Sequence, residues 1–124
     1  MSAYHNLDFA SVQVRDLKKA RAFYTVVLGF EPTGDERPDA VVFRNDSGGI
    51  FAIRTPLRPL PKQGPLGIGA SFWFGINDIE SLHERIINNE GKVITAPEDG
   101  PFGRQMLVAD PDGYTLVFHQ IAAG

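Results

Sequence analysis

The sequence contains a loose internal repeat, in which the pattern of residues 6–55 returns at residues 68–120. Four positions recur 62 residues later, and the pairs are Val14 and Ile76, Asp16 and Asp78, Leu17 and Ile79, and Gly29 and Gly91. The turn at residues 45–48 recurs 65 positions later at residues 110–113, so the second copy carries about three extra residues before its turn. Two similar units that pack side by side leave a cleft between them, which is a common place for a small-molecule site. The repeat therefore predicts two related modules with a site between them.

The composition limits the class of protein. A chain of 124 residues with 43% apolar residues suits one domain with a hydrophobic core, and no apolar run approaches the roughly 20 residues that cross a bilayer. The absence of cysteine excludes disulfides, thiolate nucleophiles and cysteine-ligated zinc. A net charge of −3 without a Lys/Arg cluster argues against nucleic acid. The opening residues resemble neither a secretory signal nor a transit peptide, so we expect a cytoplasmic protein with no membrane partner.

Both copies show the same order of predicted elements. In the first, a strand over residues 8–14 leads to a helix that Asp16 caps and Gly29 closes, followed by strands near residues 30–33, 40–44 and 49–55. In the second, a strand over residues 70–76 leads to a helix from Asp78 to about residue 89 that Gly91 stops. Three strands follow near residues 92–95, 104–109 and 114–120, with a Pro/Gly-rich loop at residues 97–103.

Each copy is therefore predicted to be a βαβββ module. We expect a single domain over residues 1–124, with module one at about residues 6–55 and module two at about residues 68–120. Residues 56–67 between them are too rich in proline and glycine to join a sheet interior, and they are predicted to form a linker.

Alternation along the first strand of each module separates a uniformly apolar face from a mixed one. The apolar faces are predicted to lie under the helices, and they carry Ala10, Val12 and Val14 in module one and Phe72, Phe74 and Ile76 in module two. The mixed faces are predicted to line the cleft, and they carry Phe9, Ser11 and Gln13 in module one and Ser71, Trp73 and Gly75 in module two. Trp73 is the only tryptophan, and its ring offers a stacking surface for a planar or cationic ligand.

Several short motifs are shared with a known family. They are Val14-Arg15-Asp16-Leu17, Ala22-Phe23-Tyr24, Leu28-Gly29-Phe30, Gly103-Arg104 and Asp110-Pro111-Asp112-Gly113-Tyr114. Their order, together with the repeat, resembles the vicinal oxygen chelate superfamily, which includes glyoxalase I, extradiol dioxygenases and bleomycin-resistance proteins. The resemblance implies an α+β fold in which two tandem βαβββ modules form a cup-shaped, curved mixed sheet. It also implies a homodimer, in which some members exchange modules between chains.

Metal-dependent members of this superfamily carry His or Glu on the first and last strands of each module, facing the cup. The positions that the resemblance assigns to these ligands are Phe9, Ser71, Val117 and either Ala52 or Ile53. None of these side chains is a plausible metal ligand. The resemblance therefore implies that the family-type metal site is absent, and we expect neither a metal nor another cofactor.

His119 is the candidate catalytic residue. It lies two residues beyond Val117 on the same strand face, where an imidazole could act as a general base or as a lone metal ligand. A histidine on a terminal strand with no partner in view is more often structural. The sequence therefore leaves open whether the chain is an enzyme.

The sequence favours a metal-independent small-molecule binding protein, similar to the bleomycin-resistance branch, that sequesters an aromatic or cationic compound. The predicted ligand-binding residues, completed by a partner chain in a homodimer, are Phe9, Ser11, Gln13, Ser71, Trp73, Val117 and His119. One alternative is a lyase, isomerase or dioxygenase with displaced metal ligands or with His119 as base. Another is an accessory domain whose cup serves protein association.

Overall fold

The computed structural model describes residue 3 and residues 7–34, 37–44 and 50–121. The predicted turn at residues 45–48 and the predicted strand start at Gly49 lie outside these ranges. In chain order the elements are β1 (Phe9–Gln13), α1 (Leu17–Ala22), a π-helical segment (Phe23–Val27), β2 (Glu31–Pro32), β3 (Ala40–Arg44), β4 (Ile50–Arg54), β5 (Ser71–Ile76), α2 (Ile79–Asn88), β6 (Lys92–Gly100), β7 (Gly103–Ala109) and β8 (Thr115–Gln120).

These strands form two four-stranded mixed sheets with the same order, in which the first strand of each module lies beside the last. In the first sheet, β1 pairs in parallel with β4, and β3 runs antiparallel between β4 and β2. In the second sheet, β5 pairs in parallel with β8, and β7 runs antiparallel between β8 and β6. The predicted α+β class and its two βαβββ modules are confirmed.

One face of each sheet is buried in a core that both modules share. Val12 of the first sheet and Val14, just after β1, are buried there, and Phe72 and Phe74 of the second sheet pack against the same cluster, as the alternation predicts. Aromatic rings cross the boundary between the modules, since the ring centroid of Phe74 lies 5.4 Å from that of Phe51. The outer face of each sheet therefore points away from the shared core.

A hydrogen-bonded cluster at the Asp-Pro-Asp-Gly turn joins the two modules. The buried Tyr24 of module one donates its hydroxyl to Asp110 Oδ2 at 2.7 Å, and Asp110 Oδ1 accepts the backbone N–H groups of Asp112 and Tyr114. The Tyr114 hydroxyl donates in return to the Gln13 carbonyl oxygen at 2.7 Å. Burial, together with the charge of Asp110, raises the pKa of Tyr24, which therefore remains a donor. Tyr24 and Tyr114 therefore both belong to this cluster, which we call the module joint.

The proline-rich linker is held against both modules. Arg15 donates from Nε to the Pro61 carbonyl oxygen and from Nη2 to the Gly64 carbonyl oxygen, each at 2.8 Å. Leu66 is buried in the core, and its N–H donates to the Asp112 carbonyl oxygen at 2.8 Å. The linker therefore helps to fix the position of module two relative to module one.

The first helix differs from prediction in its second half. Instead of continuing as an α-helix, the chain forms the π-helical segment, in which the Leu28 N–H donates to the Phe23 carbonyl oxygen at 3.1 Å. The Thr25 hydroxyl donates to the Arg21 carbonyl oxygen at 2.8 Å and so competes for a backbone acceptor of the helix. Gly29 closes the helix with a φ of 81°, as predicted. No helix in the described ranges is long and apolar enough to cross a membrane.

The end of α2 also differs from prediction. The residue in the left-handed conformation is Glu90, with a φ of 60°, whereas Gly91 follows it and donates its N–H to the Ile86 carbonyl oxygen at 2.8 Å. Gly91 is instead required by close packing, because a Cβ there would lie 2.6 Å from Ile86 Cγ2 and 2.9 Å from Val27 Cγ1. The glycine therefore recurs in both modules, but it closes the helix in module one and permits close packing in module two.

The predicted loop at residues 97–103 is mostly strand. β6 continues through Pro97 to Gly100, and β7 begins at Gly103, so the two strands form a tight hairpin. β6 is an edge strand, where the missing N–H of a proline is tolerated, and the pairing register shifts on either side of Thr95. This hairpin places Phe102 at its tip.

The left-handed Glu90 leads to a prediction about stability. Glu90→Gly is expected to raise the free energy of unfolding by about 0.5 to 1 kcal/mol, because a residue with a Cβ is disfavoured at positive φ. The greater freedom of glycine in the unfolded chain offsets only part of this gain. Denaturant titration measures the change, with Glu90→Ala as the control that removes the carboxylate but keeps the Cβ. Equal stability of the two variants would contradict a backbone origin.

Asp110 leads to a prediction about pH. Burial raises its pKa, although the bonds from Tyr24 and the backbone oppose this. The folded chain therefore binds the Asp110 proton more tightly than the unfolded chain does. The stabilisation from the protonated Asp110 carboxyl is complete below about pH 4, and it is lost as the pH rises through the higher folded pKa. Relative to wild type, Asp110→Asn is expected to gain stability as the pH is raised from about 4 to 7 in thermal unfolding.

Asp78 is the control of opposite sign. Hydrogen bonds from Ser81 lower its pKa, so its stabilisation is present above the ordinary aspartate pKa and is lost as the pH falls through the lower folded value. Asp78→Asn should therefore lose stability relative to wild type as the pH rises from acid. Parallel stability curves for wild type and Asp110→Asn would show that Asp110 is not perturbed.

Candidate functional site

The outer face of the second sheet brings together the candidates predicted in module two. Across the paired strands β5 and β8, Trp73 lies opposite Val117 and Gly75 lies opposite His119. Paired residues project to the same side of a sheet, so Ser71, two residues before Trp73, shares their face. Val117 is only 3% exposed and forms part of the floor of this face.

Trp73 is the centre of an aromatic surface on this face. Its side chain is 48% exposed, and its indole N–H donates to Ser71 Oγ at 3.1 Å. The ring centroid of Trp73 lies 6.1 Å from that of His119 and 6.2 Å from that of Phe102. We call Trp73, Phe102 and His119 the aromatic patch. A half-exposed indole with a neighbouring ring on two sides can stack against a planar ligand or a cation.

Gly75 makes room for the side chains that border the patch. A Cβ at Gly75 would lie 2.8 Å from Ile121 Cγ2 and 3.8 Å from His119 Nε2. The missing side chain therefore allows Ile121 and the imidazole to lie close to β5. Ile121 extends the apolar surface beside His119.

Phe102 and Gln105 belong to this region but were not among the predicted site residues. Phe102 is 75% exposed at the hairpin tip, and Gln105 in β7 lies opposite His119. Residues 97–103 are predicted as a loop, which gives no position for Phe102. Gln105 falls in the predicted strand at residues 104–109, but nothing in the sequence marks it as a site residue. Gly100 and Gly103, which flank two residues, are the signal of a tight hairpin that would have placed Phe102 beside the sheet.

The candidates predicted in module one lie on the outer face of the other sheet. Phe9 is 46% exposed, and Ser11 is exposed on the same side of β1. The amide oxygen of Gln13 accepts the Leu57 N–H at 2.9 Å, so this side chain holds the start of the linker. Within the described ranges, no hydrogen bond or ring contact links these three residues to the aromatic patch. A single chain therefore presents the predicted site as two separate halves.

The positions that correspond to family metal ligands lie where the resemblance places them, but they carry the wrong chemistry. Phe9 and Ala52 share the outer face of the first sheet, and Ser71 and Val117 share that of the second. Ile53, the other possible counterpart, is fully buried in the core. Over residues 7–34, 37–44 and 50–121, no group of three or more His, Asp or Glu side chains is arranged to hold a metal ion.

A groove of about 590 Å³ lies at the module joint, away from the aromatic patch. It is bordered by the linker, by the end of α2 and by the Asp-Pro-Asp-Gly turn. The buried carboxylates of Asp110 and Asp112 in its wall already accept hydrogen bonds from Tyr24, Arg15 and the backbone. We therefore assign this groove to the joint that holds the modules together, and the aromatic patch remains the candidate site.

The chain has two mixed sheets built from βαβββ modules, and the outer face of the second sheet carries the aromatic patch. Comparison with known families identifies the class of protein to which this architecture belongs. The chain belongs to the Glyoxalase/Bleomycin resistance protein/Dioxygenase superfamily, whose sequence model matches residues 6–118. This confirms the family expected from the sequence motifs.

Individual relatives agree with this assignment. The phenazine antibiotic resistance protein EhpR of Enterobacter agglomerans is 25% identical over 109 residues, which cover 85% of this chain and 84% of that protein. The glyoxylase/bleomycin resistance protein/dioxygenase domain from Frankia sp. EAN1pec has a TM-score of 0.77 and 19% identity, and the match covers 98% of this chain and 96% of that one. Lactoylglutathione lyase from Agrobacterium tumefaciens has a TM-score of 0.71 and 21% identity, with 96% of both chains covered. At these low identities, the likeness to these two solved structures shows a common fold and nothing about function.

Proposed function

We propose that this chain binds a planar aromatic small molecule at the aromatic patch and sequesters it without chemical change. The observation that carries this proposal is the half-exposed Trp73, with the rings of His119 and Phe102 on two sides. Stacking on such rings contributes on the order of 1 kcal/mol for each good contact beyond the area that is buried. The patch thus offers affinity for a flat molecule through stacking alone.

The relative EhpR supports the choice of ligand class. Its name assigns it to resistance against phenazines, which are flat, fused three-ring heteroaromatic compounds. A ring system of this shape matches a surface whose main feature is an exposed indole. Phenazine is therefore a suitable first probe for this chain.

The proposal includes binding without a metal. The family ligand positions carry Phe9, Ala52, Ser71 and Val117, which supply no imidazole or carboxylate. His119 is an imidazole on the patch, but a divalent ion needs several ligands that converge on one point. The donor set on the two outer faces therefore favours stacking over metal chemistry.

We also propose that the functional form is a homodimer. Small-molecule sites usually cover most of the ligand, whereas the aromatic patch is open in the single chain. The first sheet of a second copy, which exposes Phe9 and Ser11, provides the missing wall for the patch. β1 and β5 are edge strands and so are available to lie beside each other across the interface.

A cytoplasmic location and the lack of a nucleic-acid partner complete the proposal. A chain without cysteine gains nothing from an oxidising compartment, and its net charge of −3 disfavours phosphate backbones. A binder in the cytoplasm would meet a toxic aromatic compound after its entry into the cell.

Trp73→Ala tests the proposed site. The substitution is expected to weaken phenazine binding by about 1 to 3 kcal/mol, or roughly 5- to 150-fold in Kd, because it removes the stacking surface. Isothermal titration calorimetry gives Kd, and Ile87→Ala, an exposed apolar residue on α2, is the control that should leave it unchanged. The same titration after dialysis against EDTA should give the wild-type Kd. An unchanged Kd for Trp73→Ala, or a loss of binding after dialysis, would contradict the proposal.

Phe9→Asp tests the dimer. A carboxylate on the outer face of the first sheet should shift the protein from dimer towards monomer in sedimentation velocity, because a buried, unpaired charge opposes the interface. It should also weaken phenazine binding, although Phe9 and the aromatic patch lie on different sheets. Ile87→Asp on α2 is the control that should remain dimeric. A monomeric wild type that binds phenazine tightly would refute the shared site.

A further inference from the structure

Gln105 carries a buried hydrogen-bond acceptor that none of the described residues satisfies. In the described part of the chain, its Oε1 is the buried side-chain oxygen without a hydrogen-bond donor. Buried polar groups in folded proteins are nearly always paired, since an unpaired one loses its bond to water and gains nothing in return. The unpaired oxygen therefore needs an explanation.

Other glutamines on the strands are used differently. Gln13 at the end of β1 accepts the Leu57 N–H, and Gln120 at the end of β8 accepts the Ile79 N–H at the start of α2, each at 2.9 Å. Both amides thus hold a backbone segment in place. Gln105 has no such role, although it lies on the same sheet as Gln120.

The position of Gln105 places its amide at the border of the aromatic patch. It lies opposite His119 in β8 on one side and opposite Glu98 in β6 on the other. A Cβ at Gly100 would lie 3.2 Å from both Cδ and Oε1 of Gln105, so the amide lies against the hairpin whose tip carries Phe102. Gln105 Oε1 therefore lies between the His119 imidazole and the tip of the β6–β7 hairpin, beside the rings proposed to stack on the ligand.

We infer that Gln105 is a specificity-determining residue, which accepts a hydrogen bond from an N–H or O–H group on the edge of the bound aromatic molecule. This inference rests on the proposed function. The site would take a planar heteroaromatic compound with an amino, ring N–H or hydroxyl donor, and Glu98 in the same row disfavours a carboxylate. The oxygen becomes accessible by rotation of the amide or by a small displacement of the tip, because Gly100 beside it carries no side chain.

A matched pair of probes tests the inference. Phenazine has ring nitrogens that accept but no group that donates, whereas 2-aminophenazine adds an N–H donor to the same ring system. Wild type is expected to bind 2-aminophenazine roughly 5- to 10-fold more tightly than phenazine, as a single additional hydrogen bond allows. Gln105→Leu should bring this ratio of Kd values to about one, because it removes the acceptor.

Gln63→Leu in the linker is the matched control and should keep the wild-type ratio. A ratio near one in wild type, or an unchanged ratio in Gln105→Leu, would overturn the role of Gln105 while phenazine binding still stands. Failure of wild type to bind either probe would instead contradict the proposed function and, with it, this inference.

The melting temperature without ligand gives a second readout. Gln105→Leu should raise Tm, because it removes a buried acceptor for which the described residues of the free protein supply no donor. A lower Tm would show that the amide is already satisfied and would overturn the inference.

Discussion

The buried hydrogen bond between the Tyr24 hydroxyl and the Asp110 carboxylate is the interaction on which the rest of the structure depends. It ties the first helix of module one to the turn that leads into β8, the strand that carries Val117 and His119. The same turn fixes the linker through Asp112 and Leu66 and returns a bond from Tyr114 to β1. Because this cluster sets how the modules meet, it also decides that their apolar faces share one core and that their outer faces remain open.

The family and the faces of the strands could be predicted from the sequence, because both depend on local pattern. Period-two alternation separates Val12 and Phe74 from Ser11 and Trp73 whatever the partner strand is. Gly29 was likewise placed correctly from its position at the end of a helix. The left-handed conformation of Glu90 could not be predicted, because Gly91 is a more obvious residue to end the helix. The actual role of Gly91 depends on its contact with Val27, which is far away in the sequence.

The candidate site was predicted only in part for a similar reason. Parity places Trp73 and His119 on one face, but it does not show that Phe102 reaches them, since this depends on how the β6–β7 hairpin pairs. Nor does it show that Gln13 is occupied by the linker while Gln105 is not. Two amides that look equivalent in sequence differ in their surroundings, because the oxygen of Gln13 has a backbone donor beside it and that of Gln105 has none among the described residues.

The shared core has a consequence for the origin of the chain. Each module covers only one side of the aromatic cluster that contains Phe51 and Phe74, so a lone module would expose those rings to water. A single module of half this length would need a second copy of itself to cover those rings, and it would fold only as a dimer. The doubling that the repeat indicates places both halves in one chain, where the interface between two molecules becomes an interior and folding does not depend on concentration.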